Sequence, residues 1–323
     1  MRPRSLLCVV AWLLIPALAC QAEEFPARGI TLIVPLAPGG SVDIVARIIG
    51  QKLRERLGKD VIIENRTGGS TVIAASAVAR ATPDGHTLLF SPTSTLAINP
   101  TVYKKLPYDP LKDFAPVALV AIVPLVLVVN PGLPVHSLPD LIKLAKEKPG
   151  QLSYASGGVG STLHLAAEFL AELAGIAWRQ VPYKGGAPAL NDVVAGHVSA
   201  MFADIGGALP QIREGNVRAL GVSTRARVQS APEIAPIADW IPGYDATTWN
   251  MAIAPAATPE DILTKLHQEI GAVTGLPEVQ ERLAHLGISA AEAHSRTELR
   301  PFLEAQIDRW GGIVRRVGLA GSE

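Results

Sequence analysis

The chain has 323 residues with 29 basic and 29 acidic side chains, so its formal net charge is zero. This balance gives no electrostatic footprint for nucleic acid, which excludes that class of partner. Both cysteines, Cys8 and Cys20, fall within residues 1–22, so the rest of the chain has no disulfide and no cysteine metal site. That remainder, about 300 residues, is longer than one hydrophobic core usually serves, which favours two domains.

The N-terminal segment, residues 1–22, has the pattern of a secretory signal peptide. Arg2 and Arg4 precede an apolar run, Leu6 to Leu18, that is too short to span a bilayer comfortably. Small residues follow this run, as they do at a signal peptidase site. Cys20 also permits a lipoprotein cleavage with a lipid anchor, but the residues before it favour the plain signal. We therefore expect the protein to be exported.

The first recognisable unit is a strand, a glycine turn and a helix. Ile30 to Pro35 is apolar and β-branched, as in a buried strand, and Ala37-Pro38-Gly39-Gly40 predicts a sharp turn. Ser41 is placed to cap a helix that ends at Gly58. Free backbone N–H groups at such a helix start can hold an anion. Taken alone, however, a turn of this kind is more often a plain connection.

Two short strands and a hydroxyl-rich loop follow. Val61 to Glu64 and Thr87 to Phe90 are typical of buried strands, and Ser70 is placed to cap a small-residue helix between them. Ser91 to Thr95 is rich in hydroxyls and follows the second strand directly. The pattern predicts a loop there, and a further loop over residues 100–116.

A long extended segment, Ala115 to Asn130, separates two similar halves of the chain. Beyond it, Leu152 to Ser156 predicts a strand, and Gly157 to Ser161 forms a second glycine turn before an amphipathic helix. This arrangement repeats the first unit about 120 residues later. Thr247 to Ala254 predicts a strand that returns the chain to the first domain. We therefore expect two α/β domains, each of which offers a helix N-terminus.

Elsewhere strands alternate with helices, which predicts mostly parallel sheets. Further strands are expected at 177–183, 198–203 and 217–223, and further helices at 138–148, 188–195, 208–215, 258–274, 277–286 and 295–317. Ligands of such sheets bind beyond the carboxyl ends of the strands. Both glycine turns, the Ser91 to Thr95 loop and Asp204, which ends a strand, are therefore candidates for one shared cleft.

The motifs do not indicate nucleotide binding or catalysis. Gly39-Gly40 lacks the later glycine of G-x-G-x-x-G, and Gly157 to Ser161 has no lysine before its serine. The sequence contains no G-x-S-x-G elbow and no H-E-x-x-H. The pairing of two similar turns favours binding over a plain connection.

Four polar residues near these turns have alternative interpretations. Asp204 either orients a nearby loop or meets an amine, a hydroxyl or a bound water of a ligand, and the residues leave both open. Asp43 is better explained as stabilising its own helix N-terminus. A structural role is favoured for His164, and a solvated position for Lys184.

Several motifs, taken together and in order, resemble the Bug family, the periplasmic substrate-binding proteins of tripartite tricarboxylate transporters. They span nearly all of the exported chain and are Pro35 to Asp43 with Ala46-Arg47, Glu64-Asn65-Arg66, Pro83 to Leu88, Leu106 to Pro110 with Asp113-Phe114, Gly160 to Leu165, Val181 to Gly186, and Gly196 with Phe202. One departure is the glycine-rich stretch after the Asn-Arg pair, which is longer in many relatives and covers only Thr67 to Thr71 here.

The resemblance implies an α/β fold with the two lobes of a type II-like periplasmic binding protein, joined by two hinge strands. It assigns residues 23–127 and 250–323 to lobe 1 and residues 128–249 to lobe 2. A small carboxylate would lie between the lobes, held by backbone amides and ordered water. The ligand-binding residues that the resemblance implies are Ala37, Pro38, Gly39, Gly40, Ser91, Thr93, Gly160, Ser161, Thr162 and Asp204.

The implied function is capture of a di- or tricarboxylate, an amino acid or an aromatic acid in the periplasm, with delivery to membrane permease subunits. Such a receptor is expected to be a monomer, to catalyse no reaction and to need no cofactor or metal. Two alternatives are a ligand-presenting partner of a sensor kinase and an exported hydrolase that uses Ser41 or Ser161 with a histidine. The lack of a nucleophile elbow disfavours the hydrolase.

Overall fold

The structure, a computed structural model, describes residues 25–292 and 294–323. The expected signal peptide and Cys20 lie outside the described residues. The strands within that range are β1 Ile30–Val34, β2 Val61–Asn65, β3 Thr87–Pro92, β4 Phe114–Val123, β5 Leu125–Val129, β6 Ser153–Ser156, β7 Arg179–Pro182, β8 Ala200–Asp204, β9 Arg218–Val222, β10 Thr248–Pro255 and β11 Ser289–Ala290. The α-helices are α1 Ser41–Leu57, α2 Val72–Ala79, α3 Asn99–Val102, α4 Leu138–Glu147, α5 Thr162–Ala174, α6 Gly186–Val194, α7 Ile205–Arg213, α8 Glu260–Thr274, α9 Pro277–His285 and α10 Arg296–Arg316.

The strands form two separate sheets, each covered by helices. In the described residues, the first sheet has the order β11-β4-β10-β3-β1-β2 and the second has the order β7-β6-β8-β5-β9. The expectation of two α/β domains is therefore confirmed. No helix of the described range is long and apolar enough to cross a bilayer.

The chain crosses between the sheets along extended segments. β4 ends at Val123 in the first sheet, and β5 begins at Leu125 in the second, with only Pro124 between them. The chain returns to the first sheet with β10. These crossing strands pair antiparallel to their neighbours, whereas β1–β2, β1–β3, β6–β7 and β6–β8 are parallel. The expectation of mostly parallel sheets was therefore wrong, because the strands that connect the domains enter both sheets antiparallel.

The first helix follows its sequence pattern closely. α1 ends at Gly58, whose φ of 62° is a left-handed conformation that glycine adopts without strain. Val45, Ile49 and Leu53, one helical turn apart, are all at most 1% exposed. The apolar stripe therefore holds α1 against the first sheet, with its N-terminus beyond the carboxyl end of β1.

The segment after β3 differs from its prediction. The strand continues to Pro92, and Ser94–Ile98 then forms a π-helical turn that leads directly into α3. Ser91 and Thr93 are fully buried, so they do not form an open hydroxyl loop. Thr93 Oγ1 bonds to the hydroxyl and backbone of the returning strand β10, at Thr248 and Trp249. Those partners lie about 155 positions away in the chain, beyond the reach of local pattern analysis.

Candidate functional site

A cavity of about 60 Å³ lies between the two domains, where the carboxyl ends of β1, β3, β6 and β8 approach one another. Its lining comes from both domains and consists of Leu36, Ser41, Val42, Ser70, Thr71, Pro92, Ser94, Gly157, Ser161, Thr162, Leu163, Gly185, Gly186, Asp204, Thr248 and Asn250. The position agrees with the shared cleft that the sequence predicts.

The lining combines hydroxyls and glycine backbone with one amide and one carboxylate, and contains no basic side chain. α1 and α5 begin at this cavity, since Ser41, Val42, Thr162 and Leu163 are among their first residues. The N-terminal ends of these helices carry partial positive charge and unpaired backbone N–H groups. The site is therefore suited to an anion that is bound by neutral donors.

The first glycine turn is held in place by Asp43. The backbone N–H of Gly39, a residue with φ of 85°, donates to Asp43 Oδ2 at 3.0 Å. Arg47 Nε donates to the same oxygen at 2.9 Å, and Asn65 Nδ2 donates to Oδ1 at 2.9 Å. Although burial opposes the effect, these hydrogen bonds hold the pKa of Asp43 below its usual value. Asp43 thus stabilises the N-terminus of its own helix, which is the interpretation that the sequence favoured.

The second glycine turn is held by His164 in the same way. The backbone N–H of Gly160, with φ of 71°, donates to His164 Nδ1 at 3.1 Å. The imidazole is 3% exposed, and this burial lowers its pKa to about 4. A neutral ring with Nδ1 as acceptor is what the Gly160 bond requires. His164 therefore has the structural role that the sequence favoured, because its ring holds the second glycine turn.

Two amides of the glycine turns are bonded within the protein. In each turn a glycine N–H is bonded to a side chain four residues later, inside the first turn of the following helix. The N–H groups of Gly39 and Gly160 therefore shape the turns.

Asp204 contacts the other domain across the cleft. Its Oδ2 accepts a hydrogen bond of 2.7 Å from Ser41 Oγ, at the N-terminus of α1. Burial raises the pKa of Asp204, while the hydrogen bonds from Ser41 partly offset that shift. The expected capping role of Ser41 was wrong, because Gly40 is the N-cap of α1 and the hydroxyl is used for this contact instead.

Neither candidate nucleophile is activated. Ser161 caps α5, its Oγ accepting from the backbone N–H of His164 at 3.2 Å, as the sequence predicts. Ser41 donates to a carboxylate, and the Nδ1 atom of His164 is used by Gly160. A serine hydrolase requires a base bonded to the nucleophile, and these described contacts do not provide one.

The short loop after the Asn-Arg pair forms one wall of the cavity. Ser70 and Thr71 have positive φ values of 45° and 82°, which are unusual for residues other than glycine. Asn99 Nδ2 bonds to Ser70 O at 3.0 Å and to Thr71 Oγ1 at 3.2 Å, which holds the strained backbone. Ser70 Oγ reaches the second domain at Val159 O, at 2.9 Å. Ser70 therefore does not cap α2, contrary to expectation, since Thr71 is the N-cap.

Asn250 is a lining residue that the sequence interpretation missed. It is 1% exposed, and its Oδ1 is buried with no hydrogen-bond partner among the described residues. The residue lies within β10, whose other members are largely apolar and all buried. A buried acceptor without a partner is costly, so this oxygen is suited to meet a hydroxyl or another donor of a ligand, or a bound water. The available signal was one amide inside an otherwise core-like strand.

The expected binding residues are distributed over several positions. Ser161, Thr162 and Asp204 line the cavity. Gly39 and Gly40 line an adjoining cavity that also contains Asp204. Neither cavity is lined by Ala37, Pro38 or Gly160. The lining also lacks Ser91 and Thr93, which are fully buried. The polar lining residues outside the set that the resemblance implies are Ser41, Ser70, Thr71, Ser94, Thr248 and Asn250.

Replacing Asp43 tests how the first turn is held. We expect Asp43→Ala to lower the free energy of unfolding by about 2 kcal/mol, because the Gly39 N–H and the Asn65 amide lose a charged acceptor. Urea denaturation measures this. Asp43→Asn is the matched variant, since it keeps an acceptor oxygen and should lose less. Equal stability of Asp43→Ala and the wild type would contradict the assigned role.

Comparison with known proteins agrees with this geometry. The family described as "Tripartite tricarboxylate transporter family receptor" matches residues 45–319. Protein BugT of Bordetella pertussis is 37% identical over 300 residues, which cover 92% of this chain and 92% of BugT.

Two solved structures share the whole fold. The structure titled "R. palustris Rpa4515 with adipate" has a TM-score of 0.89 and 36% identity, covering 92% of this chain and 99% of that one. MatC of Rhodopseudomonas palustris with bound malate has a TM-score of 0.85 and 33% identity, covering 90% of this chain and all of MatC. These neighbours are solute-binding receptors and not enzymes, and their fold is that of the periplasmic binding proteins. The chain belongs to the receptor family of the tripartite tricarboxylate transporters, which includes the Bug proteins.

Proposed function

We propose that this receptor captures a small carboxylate between its two domains and delivers it to the membrane permease of a tripartite transporter. The observation that carries the proposal is the cavity between the domains, where two helix N-termini and several hydroxyls converge without a basic side chain. Adipate and malate in the two similar structures support a carboxylate as the ligand class. The receptor would act in the periplasm, with residues 1–22 as its signal peptide.

Ligand capture in this proposal is a hinge movement of the two domains. Contacts across the cleft include Ser41 with Asp204 at 2.7 Å, Ser70 with Val159 at 2.9 Å, and Val102 packed beside Gly160. The extended crossings, at Pro124 and before β10, connect the domains. The two lobes would separate about these crossings to admit the ligand. Lobe 1 would consist of residues 23–127 and 250–323, and lobe 2 of residues 128–249.

The proposal is tested by thermal shift on protein that has been unfolded, freed of bound ligand and refolded. A carboxylate present at 100 times its Kd should stabilise the folded state by about 2.7 kcal/mol, because it binds only that state. The screen should include mono-, di-, tri- and aromatic carboxylates, with the corresponding amides as matched neutral controls. Stabilisation by the acids but not by the amides is the expected result. No response to any acid would contradict the proposal.

A further inference from the structure

The last helix, α10, contacts both domains. It packs against β4, α3 and the π-helical turn after β3, all of which belong to the first domain. It also packs against α5, which follows β6 of the second sheet. The contact between α10 and α5 therefore crosses the boundary between the domains.

One stripe of α10 makes the contacts at this boundary. Phe302, Gln306, Arg309 and Arg316 follow one another at spacings of four, three and seven residues, which places them on the same face of the helix. Phe302 packs edge-on against the ring of Trp249, with 5.4 Å between the centroids, and Gln306 Oε1 accepts from Trp249 Nε1 at 3.0 Å. The stripe therefore begins beside the start of β10, where the chain returns to the first sheet.

Arg309 holds the crossing that leads into β10. Its Nη2 lies 3.0 Å from Asp245 Oδ2 and donates to the backbone oxygen of Asp245 at 3.0 Å. Arg225, which follows β9 of the second domain, places its Nε 3.2 Å from the same Oδ2. The carboxylate of Asp245 therefore receives an arginine from each domain, at the point where the chain passes between them.

Arg316, the last residue of α10, contacts the second domain directly. Its guanidinium carbon lies 4.9 Å from the centroid of the Phe169 ring in α5, which is within the range of a cation–π contact. Phe169 is 3% exposed and stacks on Tyr244, which in turn stacks on Phe202 of β8. Arg316 thus covers the outer ring of an aromatic cluster that belongs to the second domain.

Both arginine contacts act over short distances and lie away from the ligand site. Neither Arg309 nor Arg316 lines the cavity between the domains or the adjoining one. A cation–π contact requires a separation below about 6 Å and an ion pair one below about 4 Å, so a displacement of a few ångströms removes either. Separation of the domains about the second crossing would produce such a displacement, and the contacts therefore favour the closed arrangement.

We propose that α10 is a brace across the hinge, and that Arg309 and Arg316 set how readily the two domains separate. The brace acts on the movement and not on the ligand, so the inference goes beyond the proposed function and does not depend on which acid is bound. A purely structural role for the two arginines would lower the free energy of unfolding without changing the distance between the domains.

The experiment measures that distance with a pair of spin labels and pulsed electron paramagnetic resonance. The labels are attached to Gln268→Cys on α8 and Lys143→Cys on α4, two exposed positions on opposite domains. Both native cysteines lie in residues 1–22, the expected signal peptide, so the exported protein carries no other thiol. The protein is first freed of bound ligand by unfolding and refolding.

We expect the double variant, Arg309→Ala with Arg316→Ala, to increase the ratio of molecules with longer label separations to those with shorter ones by about fivefold. Arg316→Lys in place of Arg316→Ala should restore part of the shorter population, because lysine also provides a cation for the Phe169 ring. Urea denaturation of the same variants shows that they are folded.

Two further variants serve as controls. Arg300→Ala is the matched control on α10, because Arg300 pairs with Glu304 at 3.2 Å and with Leu111 O at 3.0 Å, both in the first domain, and it should leave the distances unchanged. Ser41→Ala removes the hydrogen bond to Asp204 across the cleft and should lengthen the separation. Wild-type distances in the double variant, whatever its stability, would overturn the proposal, as would an equal shift in Arg300→Ala.

Discussion

Asn250→Leu is expected to weaken carboxylate binding by about tenfold to a hundredfold while making the ligand-free protein more stable. The buried Oδ1 of Asn250 has no partner among the described residues, so an apolar side chain of similar size removes an uncompensated polar group. The expected gain in the free energy of unfolding is about 1 kcal/mol. Binding is affected in the opposite sense, because the acid loses an amide whose Nδ2 can donate to a carboxylate and whose Oδ1 can accept from a ligand hydroxyl or a bound water.

The two effects are measured by calorimetric titration and by urea denaturation of the same preparation. Asn99→Leu is the control, because the buried Oδ1 of Asn99 also has no partner among the described residues, whereas its Nδ2 donates to Ser70 O and Tyr108 OH. That variant should lose stability instead of gaining it. If Asn250→Leu bound the acid as tightly as the wild type does, Asn250 would not be a ligand contact.

The second large effect is a dependence of stability on pH that originates from His164. Burial lowers its pKa to about 4 in the folded protein, compared with about 6.5 in an unfolded chain. Between these two values the unfolded state binds the proton and the folded state does not, so stability falls as the pH falls from about 6.5 to 4. The total loss is on the order of 3 kcal/mol from this group, and it is fully regained above the unfolded value.

The measurement is the free energy of unfolding in urea at several pH values, for the wild type and for His164→Gln. Glutamine offers an oxygen that can accept from the Gly160 N–H but has no proton to gain in this range, so the variant should lose this part of the slope. His164→Leu removes the acceptor as well, and should also loosen the second glycine turn and weaken ligand binding. Parallel pH curves for the wild type and His164→Gln would exclude His164 as the source.

Features set by contacts close in the chain were predictable. The length of α1, its glycine stop and the capping of α5 by Ser161 each depend on residues within four positions of one another, and all three are found in the structure. The bonds from Gly39 to Asp43 and from Gly160 to His164 span the same short distance. A polar side chain four residues after a turn glycine was therefore an available signal, and its consequence is that those amides are already bonded.

Features set by contacts distant in the chain were not predictable from pattern. Ser41 is a residue type that often caps helices and stands at a helix start, but its hydroxyl donates to Asp204, 163 positions later. The hydroxyls after β3 are buried because β10 returns beside them, and the positive φ of Thr71 is tolerated because Asn99 and Thr95 bond to its hydroxyl. Local propensity does not contain these partners, since folding brings them together.

The sequence by itself determined the two-domain α/β plan, the two glycine turns and the family, because hydrophobic period, glycine placement and short motifs are properties of neighbouring residues. Only the tertiary structure decided which groups face the cleft. Two turns that look alike in sequence lie opposite each other because β4, β5 and β10 connect the sheets, and the cavity lining is drawn from both domains. The packing of the two domains against each other sets three features of the site. They are the size of the cavity, the unpartnered Oδ1 of Asn250 and the hydrogen bond between Ser41 and Asp204.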